Sequence, residues 1–244
     1  MKNKLTTALA SLAAFAAASA SAQDLPTLIK DANYSVTFDN TFASNYVFRG
    51  LELAEDTFHP SMEITVDDFY IGAWASLPFE KEGYPNFFAD EYDLYGGYGF
   101  KINDTLSLDV GATLFIFQEA QNTFEPYVGF NYDVNGFTPS FYVYRDVDLE
   151  TFTFEWSAGY SYPISDMASL ELSGHFGIVT DDDAPRPIED YSYFGASVEL
   201  PVRVRENATV TFGVHYTEND IDRRPVSQIE GRNLYGSLSL TVGL

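Results

Sequence analysis

Ionisable side chains recur at alternate positions within stretches that otherwise look like strands. Asp39, Glu63, Asp93, Asp109, Glu125, Glu155, Glu171 and Glu199 each fall on the polar side of an apolar/polar alternation. Only Arg49, His175 and His215 share that side with them as cationic or potentially cationic groups. Eight carboxylates with so few partners cannot be buried dry, because an unpaired buried charge either takes up a proton or draws in water. The chemistry they support is that of a wet acidic interior that favours cations, as acidic rings do in cation channels. A polar lining that selects nothing is the other reading of the same residues.

Bond-making chemistry is poorly supplied. A lipase or acyltransferase needs a nucleophile and a base within reach. His59, His175 and His215 are the candidate bases, but no Gly-x-Ser-x-Gly occurs and no serine lies convincingly beside a histidine in sequence. The expectation is that the chain is not an enzyme and carries no cofactor. Asp181-Asp182-Asp183 and the acids of 218–222 could offer oxygen ligands, but they lack the spacing and glycine of a calcium loop. They read as solvated loop faces that repel one another or bridge lipopolysaccharide through Mg²⁺, and no resident metal is expected. Gly96-Gly97-Tyr98-Gly99 lies within a strand with no helix after it, so it is no phosphate cradle; close packing or room inside the fold explains it better.

Positioning such a lining requires strands that close on themselves. The final residues show the pattern most cleanly: Leu234, Gly236, Leu238, Leu240, Val242 and Leu244 alternate with Tyr235, Ser237, Ser239, Thr241 and Gly243. A last strand with one apolar face must pair with something, and a barrel closed by that strand leaves no open edge. Twelve such segments are expected, at 34–48, 61–66, 69–77, 91–100, 105–117, 123–132, 137–144, 151–162, 168–179, 191–200, 209–217 and 234–244. Short connections rich in Asp, Asn, Gly and Pro (67–68, 101–104, 133–136, 163–166, 201–207) alternate with mostly longer ones (51–60, 78–90, 118–122, 146–150, 180–190, 218–231). A soluble β-sandwich would alternate too, but would not sort its connections this way. The expected fold is all-β: a 12-stranded antiparallel up-and-down transmembrane β-barrel, with turns in the periplasm and loops outside.

The rest of the composition agrees. Residues 1–22 have a basic start, an apolar stretch and small residues before Gln23, so they read as a secretory signal peptide cut after Ala22. Residues 23–32 form a short periplasmic lead-in, and 33–244 the barrel. Lys2 and Lys4 leave with the signal, taking the formal charge from −23 to −25 against the same 36 acids, which argues against nucleic acid as a partner. There are no cysteines, hence no disulfides and no thiol chemistry. The 17 tyrosines and 21 phenylalanines are the excess expected where rings sit at membrane interfaces. Leu106 to Ile116, Phe152 to Tyr162 and Ala168 to Ile178, taken in twos, give lipid-facing stripes that no charge interrupts.

Ser44-Asn45-Tyr46-Val47-Phe48-Arg49-Gly50 closes the first strand at the loop side. Strand parity puts Tyr46 and Phe48 on the outward face and Arg49 inward, on the face of Asp39. A lone cation among acids near a pore mouth either builds an ion-pair lattice that narrows the pore or merely neutralises its neighbours. The signal peptide, the Tyr46–Gly50 stretch and strands such as Phe69-Tyr70-Ile71-Gly72-Ala73-Trp74-Ala75 resemble the TorF family of outer-membrane porins, over most of the mature chain and most specifically at Tyr46–Gly50. The resemblance implies a barrel with porin activity and no particular substrate. Many such barrels finish in Phe, the cue read by the assembly machinery, whereas this one finishes in Leu244.

The expected function is passive diffusion of ions or small hydrophilic solutes through an acidic, cation-preferring lumen in the bacterial outer membrane. The alternative is a non-conducting structural or surface-interaction barrel with a plugged interior. Expected partners are outer-membrane lipid and lipopolysaccharide, small solutes, and the barrel assembly machinery through the C-terminal strand.

Overall fold

The computed structural model describes residues 33–79, 90–118, 120–181, 190–221 and 231–244. The signal peptide, the lead-in 23–32, and Asp182, Asp183 and Asp222 of the acidic runs lie outside the described residues. Twelve strands follow one another: β1 (Tyr34–Phe48), β2 (Leu51–Val66), β3 (Phe69–Pro78), β4 (Glu91–Lys101), β5 (Leu106–Phe117), β6 (Thr123–Tyr132), β7 (Phe137–Asp146), β8 (Thr151–Ser165), β9 (Ala168–Asp181), β10 (Tyr191–Arg205), β11 (Ala208–Asn219) and β12 (Arg232–Gly243). Each pairs antiparallel with its sequence neighbours, and β1 pairs with β12, so the sheet is a closed up-and-down barrel as expected. Closure runs from Thr37↔Gly243 to Ala43↔Ser237. Leu244 joins it by donating its N–H to the Val36 carbonyl at 2.9 Å.

Local chemistry sets the turns. Asn135 and Gly136, at φ 54° and 82°, supply the two positive angles of a tight hairpin. The Asn103 side chain accepts the N–H groups of Thr105 and Leu106 at 3.0 and 2.9 Å and so shapes the β4–β5 turn; Thr105 belongs to that turn, not to a strand. Prolines expected in turns are instead near strand ends: Pro163 lies in β8 and Pro201 in β10, each close to a bulge where the ladder is already irregular.

Alternation sorts the faces. Ile71, Leu94, Val214 and Phe212, each more than half exposed, point outward with Trp156 and Phe176. Such apolar exposure suits a barrel whose outer surface meets hydrocarbon. Inside, tyrosines lie across glycines that stand directly opposite on the next strand: Tyr95 over Gly72, Tyr70 over Gly97, Tyr127 over Gly111, Tyr142 over Gly129 and Tyr193 over Gly177. A Cβ at any of these glycines would run into the ring, so the glycines are seats for aromatic side chains. Gly97 of the Gly-Gly-Tyr-Gly stretch is one of them, which accounts for its place inside β4.

The main departure from the sequence reading is at β1–β2. Residues 51–60, expected as a loop, are strand, and the connection is the two-residue turn Arg49-Gly50 with φ 49° and 76°. β1 leaves β12 after Ala43, and β2 meets β3 only from Thr57. Between those points the hairpin pairs only with itself, from Asn45↔Glu55 to Phe48↔Leu51, with a shift after Tyr46. Tyr46, Leu53 and Ala54 are buried, packed with Phe48, Leu51 and Trp74. Tyr46 and Phe48 therefore do not face lipid. The hairpin bends into the barrel, and once inside, both of its faces are interior.

Gly111→Leu should force the Tyr127 ring off its seat and crowd the Gly96 carbonyl, lowering unfolding stability by about 2 kcal/mol. Gly243→Ala, whose Cβ would meet nothing within 4 Å, should be neutral. Denaturant midpoints of the refolded barrels, read by heat-modifiable gel migration, check both.

Candidate functional site

The site is the barrel interior, and it has two levels. The loop-side level holds the bent hairpin. Arg49, at its tip, donates from Nη1 and Nη2 to the two carboxylate oxygens of Glu125 on β6, at 2.7 and 2.8 Å. Both side chains are largely buried, at 13% and 4% exposure, so this is a bidentate, charge-assisted pair shielded from solvent. The guanidinium also stacks over Phe48 at 4.7 Å and Tyr144 of β7 at 4.9 Å.

On the other side of the tip, Asn219 of β11 donates to the Gly50 carbonyl at 2.7 Å. Only glycine fits at that position: φ is 76°, and a Cβ would fall 2.6 Å from that of Tyr193 on β10. Phe48 packs on Phe115 of β5 with centroids 5.9 Å apart, and Tyr46 packs on Trp74 of β3 at 5.4 Å and on His59 at 5.2 Å. The tip thus bridges from β5–β7 to β10–β11 across the lumen. Of the two expectations for Arg49, the geometry is that of the ion-pair constriction.

This level also contains uncompensated polarity. Ser76, Asp93, Thr153, Thr217 and Asn233 are each buried, at 9% exposure or less, and each has a side-chain N or O atom with no hydrogen-bond partner among the described residues. They sit near the loop ends of β3, β4, β8, β11 and β12, on inner-face positions that surround the hairpin. A buried polar group left unpaired costs roughly 1–3 kcal/mol.

Below the hairpin the carboxylates are held by hydroxyls. Asp109 accepts from Tyr70 at 2.9 Å and Tyr142 at 3.0 Å, and Tyr70 also bonds Tyr127. Glu63 accepts from Tyr95 at 3.1 Å and Glu155 from Tyr193 at 2.6 Å. Asp39 is held by Thr41 and Thr241 at 2.7 and 2.6 Å, and Glu171 by Ser161 and Ser169 at 2.7 and 2.5 Å.

The lining is lopsided. β3 to β7 contribute most of the tyrosine rings, joined by Tyr191 and Tyr193 of β10 and Tyr235 of β12, whereas β7 to β10, β12 and β1 also contribute small hydroxyls, paired as Ser140–Ser157, Ser173–Ser197 and Thr41–Ser239 at 2.5 to 2.6 Å. A cavity of about 750 Å³ opens at the turn end, bordered by Lys101, Asn103, Thr105, Asn131 and Asp133, and reaches up past Ser157 to His175 and Glu155.

All the acids singled out in the sequence occupy inner-face positions, but they do not form one cluster. Glu125 joins Arg49; Asp93 joins Glu91, which the sequence reading missed and which also bonds Tyr46. Asp39, Glu63, Asp109, Glu155 and Glu171 stand singly on hydroxyl partners, and Glu199 stands beside His215. The tyrosines that hold them were missed too, although a Tyr opposite a Gly in adjacent predicted strands was a usable signal. The histidines are a correction as well. His215 Nε2 meets Ser237 Oγ at 2.8 Å, and His59 Nε2 meets Thr57 Oγ1 at 2.7 Å, so a hydroxyl does lie beside each. Glu199, however, approaches the same Nε2 of His215, at 3.9 Å, so no acid orients the ring from its other nitrogen as a triad requires. Among the described residues no group of three or more His, Cys, Asp or Glu could hold a metal ion.

A family model described as "Bacterial protein of unknown function (Gcw_chp)" matches residues 29–233. The chain belongs to the Gcw_chp family. The closed β-barrel implied by the TorF resemblance is the fold of this chain, and the family it belongs to is Gcw_chp rather than TorF by name. No curated protein matches. Among solved structures, the NanC porin superposes with a TM-score of 0.56 at 10% identity, covering 86% of this chain and 100% of that one. The KdgM porin, solved with disordered oligogalacturonate, gives 0.52 at 8% identity over 85% and 98%. LpxR from Salmonella typhimurium gives 0.51 at 7% identity over 85% and 99%. At such identities the likeness is one of fold: an outer-membrane β-barrel.

Glu125→Leu should strand the Arg49 charge and release the tip. Breaking such a pair costs about 3 kcal/mol, which is roughly two orders of magnitude in the freed population. Limited trypsin digestion, followed by mass spectrometry of the fragment ending at Arg49, should show that cleavage accelerating accordingly.

Proposed function

We propose that this Gcw_chp chain is a porin-like channel of the bacterial outer membrane, passing ions or small hydrophilic solutes by diffusion and preferring cations. The observation that carries the reading is the interior itself. Asp39, Glu63, Asp109, Glu155 and Glu171 sit on hydroxyl partners and Glu199 faces His215 below the hairpin, and Glu155 borders a cavity of about 750 Å³ that opens at the turn end. These carboxylates are held by tyrosine, serine and threonine hydroxyls rather than by lysine or arginine. The cavity wall runs from Lys101 on β4 round to His175 on β9, and the loop-side level above it is narrowed by Arg49, with Asp93 and Glu125 beside the tip.

The fold shared with the NanC and KdgM porins supports the class of protein, not the solute. An anionic oligosaccharide of the kind crystallised with KdgM would meet repulsion along this lining, so neutral and cationic solutes suit it better. Outer-membrane lipid, lipopolysaccharide and the assembly machinery acting on the C-terminal strand are the partners this reading requires. One observation favours the rival, a plugged barrel: the hairpin tip is fastened to both sides of the lumen.

Recording from refolded protein in planar bilayers under a KCl gradient separates the two. The channel reading expects discrete conductance steps with a reversal potential of cation-selective sign. Anion-selective sign contradicts the preference, and a folded barrel that never conducts supports the plug.

A further inference from the structure

The bent hairpin leaves a mismatch at the seam it came from. β1 and β12 pair up to Ala43↔Ser237 and no further. Just beyond, the Gly236 N–H takes the Ser44 hydroxyl, at 3.1 Å, in place of a strand carbonyl. Among the described residues, the loop-side end of β12, from Arg232 to Tyr235, is paired with β11 alone, and Leu234 on it is 74% exposed. Continuing the β1–β12 register would set Asn45 against Tyr235, Tyr46 against Leu234 and Phe48 against Arg232.

In that register Tyr46 and Phe48 extend the outward stripe of Val36, Phe38 and Phe42, beside Tyr216, which stands opposite Leu234 on β11. The alternation of β1 is therefore written for a strand that stays in the wall, although the strand here leaves it. Around the bent hairpin, meanwhile, stand the five buried polar side chains with unpartnered atoms, one each on β3, β4, β8, β11 and β12.

We propose that the β1–β2 hairpin is a two-position plug: in one position it lies across the lumen as seen here, and in the other β1 zips upward along β12, carrying Tyr46 and Phe48 to the lipid-facing side. The lumen position is held by the Arg49–Glu125 pair, the Asn219 bond to Gly50 and the packing of Tyr46 on Trp74. The wall position replaces these with backbone pairing along the free edge of β12, which matters most where water is scarce. It also returns Ser76, Asp93, Thr153, Thr217 and Asn233 to the water of an open lumen, and Arg49 to solvent at the loop side. Each position satisfies what the other leaves unsatisfied, as a bistable element must. As a device for opening a pore, the proposal rests on the channel reading above.

Because the chain has no cysteine, engineered pairs report cleanly. Tyr46→Cys with Leu234→Cys can form a disulfide only in the wall position, since in the lumen position Tyr46 is buried beside Trp74 while Leu234 points out of the barrel. Ala43→Cys with Ser237→Cys, already paired across the seam, controls for the oxidation chemistry. The proposal expects the Tyr46→Cys/Leu234→Cys bridge to form in the folded, membrane-inserted barrel, more slowly than the control, and several-fold faster when Glu125→Leu is added. It also expects a several-fold rise in single-channel conductance on oxidation, reversed by dithiothreitol.

Absence of the bridge where the control forms, with or without Glu125→Leu, overturns the proposal. A bridge that forms with no change in conductance upholds the two positions and removes the channel reading instead. Should the double-cysteine chain fail to fold, Tyr46→Trp in a Trp74→Phe/Trp156→Phe background asks the same question. Quenching of the introduced indole by brominated acyl chains that grows when Glu125→Leu is added supports the wall position, and its absence overturns it.

Discussion

Backbone groups in hydrocarbon have nothing to bond but one another, and everything else in this molecule follows from that. A chain that crosses a bilayer as strands must close its ladder, and here the closing seam is β1 against β12. Once the ladder is closed, the two-residue period of a strand assigns each side chain to lipid or to the interior, with no freedom left over. The acids are inside because the apolar residues beside them in sequence are outside. The interruption of the seam above Ala43↔Ser237 is consequently the place where the structure has a choice.

The interior solves a packing problem created by that assignment. A twelve-strand barrel is wider than the roughly 8-stranded kind that side chains can fill. Tyrosines laid flat over opposing glycines cover the β3–β7 side without reaching across, and their hydroxyls turn towards Glu63 and Asp109. Serine pairs on the other side keep the wall thin, and the open volume at the turn end runs from β4 round to β9. The charge of the lining and its clearance are thus set by different residues: the carboxylates supply the field, and the glycines and serines supply the room. Among the described residues only the hairpin spans the whole width, and it does so with the one arginine that strand parity had placed among the acids.

Strand number and topology were legible in the sequence, and so was the facing of most strands, because they depend on local alternation and on turn chemistry such as Asn135-Gly136. Strand ends were less so: Pro163 and Pro201 look like turn residues, and only the bulges near them show how a strand accommodates proline. The hairpin was not legible, for two reasons. Glu52, Glu55, Asp56 and Pro60 break the alternation of β2 and mimic a loop, and the parity of β1 points Tyr46 and Phe48 at lipid. Bending into the lumen is decided by contacts with other strands, from Trp74, Glu91 and Phe115 to Glu125, Tyr193 and Asn219, which no periodicity in β1 itself encodes. Arg49 was placed on the correct face, but its partner, 76 residues away, needed the closed barrel to be identified.

The chain has two tryptophans, and they stand on opposite sides of the wall. Trp156 points outward from β8 and is 45% exposed, whereas Trp74 points inward and packs on Tyr46 and His59 of the bent hairpin. Fluorescence of the Trp74→Phe and Trp156→Phe variants, reconstituted in bilayers of brominated acyl chains, tests the inside–outside assignment most directly. Strong quenching of Trp156 with Trp74 left bright is the result this architecture requires; quenching of Trp74 to the same extent, or a Trp156 indifferent to bromine, would contradict it.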